Sequence, residues 1–168
     1  LYGALGEILT EKSGHLNLGI PGIMYMGGIG GLTGAYIYEK FGAVFNPNLA
    51  ILIAILCALL FALVGGLIYS FLTITLRVNQ NVSGLALTTF GFGLGNFLGG
   101  SLAKLAGTVG SIAVRSTGAA FKRSIFGFYT DLGWFGQLFL SLGFLTYLAI
   151  ALAILAAWLL AKTRIGLN

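Results

Sequence analysis

Four stretches of this chain, residues 19 to 38, 49 to 76, 82 to 103 and 132 to 161, contain no Asp, Glu, Lys, Arg or His. Each is at least as long as the roughly 20 residues a helix needs to cross about 30 Å of hydrocarbon. Lipid offers no partner to a backbone N–H or C=O, so segments of this kind must close their own hydrogen bonds, and they do so as helices. The expected fold class is therefore all-α: a polytopic transmembrane helix bundle with about four full spans, one of them broken by glycine.

Composition enters only to exclude alternatives. Charged residues make up 8% of the 168 residues and hydrophobic ones 58%, against roughly 25% charged in a soluble domain. A cleaved signal peptide would be one short apolar region near a start Met, whereas these runs are longer and recur along the whole chain. The chain runs from Leu1 to Asn168 and is read as a fragment of one transmembrane domain, with further spans expected at one or both ends. The formal net charge is +5, but the nine basic residues are scattered between apolar runs, so no nucleic-acid partner is expected. Cys57 lies within an aliphatic run and reads as a small buried hydrophobe rather than a nucleophile.

Residues 1 to 10 read as the tail of a preceding helix, followed by a polar connection to Leu18. The first span is rich in Gly, the second is plainly aliphatic, and a loop from Glu39 to Asn48 separates them. The third is the most polar and the most interrupted by Gly. A long loop from Lys104 to Asp131 follows, with an amphipathic piece expected near Ile112 to Phe126, and the last span ends at Lys162-Thr163-Arg164. Small residues recur every fourth place at Gly27 and Gly31, at Ala54, Ala58, Ala62 and Gly66, at Gly91, Gly95 and Gly99, and at Ala149, Ala153 and Ala157. Such stripes let helices approach closely, most simply within one bundle.

No catalytic constellation is present. His15 is the only His and Asp131 the only Asp, no Gly-rich loop ends in Gly-Lys-Ser/Thr, and Gly91-Phe92-Gly93-Leu94-Gly95 lacks the strand that a dinucleotide loop requires. Glu7 and Glu11 share a helix face without a partner group and read as a solvated helix end. The spans hold no titrating group for an ion relay, which favours a path lined by neutral groups. The third span supplies them. Ser83, Thr88, Thr89 and Asn96 bring hydroxyls and an amide, and Phe90 and Phe92 bring rings on which a sugar face or a nucleobase can stack. The competing reading is a tightly packed central helix whose Ser and Thr bond their own backbone.

The stretch from Gly6-Glu7-Ile8-Leu9-Thr10-Glu11-Lys12-Ser13-Gly14 through Asn17-Leu18-Gly19 to Pro21-Gly22 resembles a segment of ABC-importer permeases. The family is that of the branched-chain amino acid and ribose permeases, and the resemblance is to its nucleoside and simple-sugar branch. Arg77-Val78-Asn79-Gln80-Asn81-Val82-Ser83-Gly84-Leu85-Ala86-Leu87 and Lys162-Thr163-Arg164-Ile165-Gly166-Leu167-Asn168 match in the same order. The resemblance implies a multi-pass protein of a prokaryotic cytoplasmic membrane, a transport subunit and not an enzyme, importing a neutral solute: a nucleoside before a simple sugar. It implies that Ser83, Thr88, Thr89, Phe90, Phe92 and Asn96 line the path, that Asn17, Leu18 and Gly19 form its cytoplasmic gate, and that Lys162, Thr163 and Arg164 face an ATPase. The implied partners are that ATPase subunit, which would carry ATP and Mg, a second permease subunit, and an extracytoplasmic solute-binding protein docking on Arg115, Lys122 and Arg123. The implied orientation leaves four basic residues inside and five outside, so the positive-inside rule does not choose a side. A gradient-driven carrier or channel and a non-transport membrane scaffold are the other classes open to such a chain.

Overall fold

Two asparagines set the starts of the longest helices. Asn46 precedes Pro47, whose fixed φ suits the first helical position, and its side chain accepts from Asn48 N–H at 3.1 Å. Asn79 accepts from the N–H groups of Asn81 and Val82 at 3.0 and 3.4 Å, satisfying donors that a helix start leaves without partners. The computed structural model describes residues 1–12, 14, 16–42, 44–107, 112, 114–122 and 142–162. Its helices are α1 (Tyr2–Lys12), α2 (Ile20–Phe41), α3 (Pro47–Ser70), α4 (Gln80–Ala106), α5 (Arg115–Lys122) and α6 (Phe144–Lys162). Helix α3 runs on through a π turn at Phe71–Thr75. The chain then leaves with Arg77 in the left-handed region at φ 52°.

Among the described residues three helices are long and apolar enough to cross a membrane: Pro47–Thr75, Gln80–Ala106 and Phe144–Lys162. The expected first span forms α2, which has the length at 22 residues but is made less apolar by its glycines and tyrosines. Of the fourth expected span, 132 to 161, residues 132 to 141 lie outside the described residues, Leu142 and Gly143 are not helical, and α6 begins only at Phe144. The all-helical reading holds for the described residues, with the other boundaries shifted by a few positions.

The end of α2 also shifts, with Glu39 and Lys40, expected in a loop, found in its last turns. The reason is tertiary. Lys40 Nζ donates to Leu105 O at 3.1 Å and to Tyr36 Oη at 3.2 Å, so its charge meets the carbonyl end of α4, where the helix dipole favours a cation. Glu39 Oε1 accepts from Thr117 N–H at 2.6 Å, at the start of α5. Adjacent residues thus engage the end of one helix and the beginning of the next. Helix α5 falls within the stretch expected to be amphipathic, with Thr117 buried and Arg115 and Lys122 exposed.

Helix α2 is the element on which α3 and α4 pack. One face takes α3: a Cβ built on Gly31 would lie 3.2 Å from Ala54 O, and one on Gly27 would lie 3.3 Å from Ala58 O and 3.4 Å from Ala62 Cβ. The other takes α4, where a Cβ on Gly91 would lie 2.5 Å from Gly22 O, and one on Gly22 2.6 Å from Thr88 Cα. The Gly27/Gly31, Ala54/Ala58/Ala62 and Gly91/Gly95 stripes are therefore packing surfaces within this bundle, with nothing larger than a methyl group between α2 and α3 at these crossings. Cys57 Sγ rests against Gly34, filling space as a small hydrophobe.

Candidate functional site

The connection into α2 is held by side chains from two other helices. Tyr69 of α3 donates its hydroxyl to Leu16 O at 3.0 Å, and Leu16 N–H donates to Gln80 Oε1 of α4 at 3.2 Å. Thr88 Oγ1 of α4 donates to Leu18 O at 2.7 Å. Asn17 is buried, and its Oδ1 accepts from Gly19 N–H at 2.9 Å, ordering the turn that precedes α2. Pro21 follows in the first turn, where a missing N–H costs nothing. The residues expected to act as a gate therefore form a strapped turn where the start of α2, the end of α3 and the start of α4 meet.

Seven residues above this turn on α2 and α4 enclose an open groove of about 580 Å³. Pro21, Met24, Tyr25, Gly28, Ile29 and Leu32 of α2 line it, together with Phe92 of α4. Tyr25 and Phe92 meet edge to face, centroids 5.1 Å apart and planes at 76°, an arrangement that leaves ring surface open for stacking. The Tyr25 hydroxyl donates to Asn96 Oδ1 at 3.1 Å. Gly95 lets the Tyr25 ring lie directly on the α4 backbone, since a Cβ there would collide with it. A groove of this size, mostly apolar with a few polar atoms, matches the usual make-up of small-molecule sites.

The third span divides between the two readings made of it. Phe92 lines the groove, and Asn96, four positions on along α4, bonds the hydroxyl of the lining Tyr25. Thr89 is exposed and bonds Leu85 O within its own helix at 3.0 Å. Thr88 serves the turn at Leu18 rather than the groove. Phe90 is exposed two positions from Phe92, on a different side of the helix. Ser83 is buried with no hydrogen-bond partner for its Oγ among the described residues. Sequence reasoning missed Tyr25 and its α2 neighbours; the available signal was a phenol inside an uncharged, glycine-rich span, since a membrane-buried O–H needs a partner. Lys162 ends α6, while Thr163, Arg164 and Arg123 lie outside the described residues.

These helices of membrane length, packed closely through glycine, define a multi-pass membrane helix bundle. Residues 1–168 match the family described as the branched-chain amino acid transport system permease component, and the chain belongs to that family. The guanosine ABC transporter permease protein NupQ of Bacillus subtilis is 30% identical over 169 residues, covering 98% of this chain and 49% of that protein. The putative glucose ABC transporter permease protein TsgC13 of Haloferax volcanii is 33% identical over 99 residues, covering 59% of this chain and 27% of that protein. The chain thus spans half or less of the length of these curated relatives. No solved structure matches it.

Proposed function

We propose that this chain forms part of the solute path of an ATP-driven importer in a prokaryotic cell membrane, and that its solute is a neutral nucleoside. Family membership supports the permease role, and the Tyr25–Phe92–Asn96 groove is the observation that carries the solute reading. The groove also bears on nucleoside against sugar. Among the described lining residues Tyr25 is the one with a polar side chain, with the Asn96 amide beside it. A sugar would bring several hydroxyls to a wall that pairs few of them, and unpaired buried polar groups are costly. A planar base meets aromatic rings and one amide. The strapped turn at Asn17, Leu18 and Gly19 is proposed as the cytoplasmic gate. Lys162, Thr163 and Arg164 are proposed to face an ATPase that holds ATP and Mg, and Arg115, Lys122 and Arg123 to face a solute-binding protein. A second permease subunit would complete the path. ATP hydrolysis on the partner would switch access by stabilising one state over the other. Nucleoside uptake by the complete system should stop when the partner ATPase is catalytically inactivated; uptake that continued would make this a gradient-driven carrier or channel.

A further inference from the structure

Met24 lines the groove and is exposed to it, yet its thioether also rests on α1, a helix that contributes no lining residue. A Cβ built on Gly3 of α1 would collide with Met24 Sδ and lie 3.2 Å from its Cε. Ile20, four positions earlier on the same side of α2, stands 3.8 Å from that same point. Gly6, also in α1, has nothing within 4 Å, so the contact belongs to Gly3. Helix α1 is itself tied to α6, where Tyr2 donates its hydroxyl to Leu145 O.

We infer that Gly3 is a positioning residue: acting through Met24, it sets the width of the groove and with it the bulk of the solute accepted. A thioether end turns easily, so a methyl group added at Gly3 moves Met24 rather than two helices. With α1 and Ile20 on one side, the open direction is over Gly28, a groove residue one turn on, where a Cβ would meet nothing within 4 Å. The displaced thioether then occupies space left for the solute. The inference rests on the groove being the path of a nucleoside.

Equilibrium binding of radiolabelled inosine and the smaller uridine to the complete permease in nanodiscs, without a binding protein, tests it. Gly3→Ala should weaken inosine binding about tenfold, the lower end of what one methylene is worth in an apolar pocket, and uridine binding less. Adding Met24→Ala to Gly3→Ala should return the ratio of the two affinities to that of Met24→Ala alone. If Gly3→Ala fails to assemble, Met24→Ala by itself widens the groove and should raise the inosine-to-uridine ratio; a ratio left unchanged there overturns the inference. Inosine binding unaffected by Gly3→Ala, a parallel loss of both nucleosides, or a loss that Met24→Ala does not relieve overturns the role of Gly3 but leaves the groove a nucleoside path. If neither nucleoside binds the unaltered protein, the nucleoside reading and the role of Gly3 fall together.

Discussion

A single methyl group separates two kinds of glycine in this chain. At Gly91 a Cβ would lie 2.5 Å from Gly22 O and 2.7 Å from Gly22 Cα, atoms of a backbone that cannot swing aside. Gly91→Ala should therefore destabilise the purified complete protein by about 1–3 kcal/mol in thermal unfolding, the usual range for overpacking. Gly66 has nothing within 4 Å, and Gly66→Ala should be neutral or stabilise by up to about 1 kcal/mol through helix propensity. Ser83 offers a third test, since its buried Oγ lacks a partner among the described residues. Ser83→Ala should hold or raise stability, because an unpaired buried hydroxyl contributes only its desolvation cost. The four-residue spacing of these small residues was legible in sequence. Which stripe meets which was not, because Gly22 faces α4 while Gly27 and Gly31 face α3, and spacing alone does not orient a helix with small residues on several sides.

Helix starts were legible where a local residue sets them, as at Asn46-Pro47 and Asn79. The end of α2 was not, because what extends it through Glu39 and Lys40 lies 78 residues away at Thr117 and 65 residues away at Leu105. Long-range bonds of the same kind hold the turn before α2, where Tyr69 and Thr88 donate to the carbonyls of Leu16 and Leu18. Tyr69→Phe and Thr88→Val should each lose about 0.5–1.5 kcal/mol of local stability, the net worth of one hydrogen bond. Hydrogen exchange of the complete protein reads this directly: the Leu16 and Gly19 amides, bonded to Gln80 and Asn17, should exchange about two- to tenfold faster. Unchanged exchange would show that packing against Gly84 holds the turn without those hydroxyls. Thr88 also shows why most of the expected lining residues lie away from the groove. A hydroxyl on a membrane helix satisfies itself wherever an acceptor is near, and for Thr88 the nearer acceptor was Leu18 O.

At the scale of the whole molecule, α2 is the shared wall of the bundle, with α3 on one face and α4 on another, and the groove opens along the α2–α4 seam. The uncharged runs made the helical membrane fold readable. Phe92 and Asn96 were singled out in the sequence because amides and rings stand out against an apolar span; in the fold Phe92 lines the groove and Asn96 bonds Tyr25 beside it. Tyr25 was not, since its significance lies in a bond across 71 residues to Asn96. Phe92→Ala should weaken nucleoside binding by the stacking loss of about 1–3 kcal/mol without altering assembly with the ATPase. The central claim is that the solute passes along this seam. Photo-crosslinking a photoreactive purine nucleoside to the complete importer, followed by peptide mapping, tests it most directly. Label on Met24, Tyr25 or Phe92, displaced by excess unmodified nucleoside, is the predicted result; displaceable label confined to other helices would contradict it.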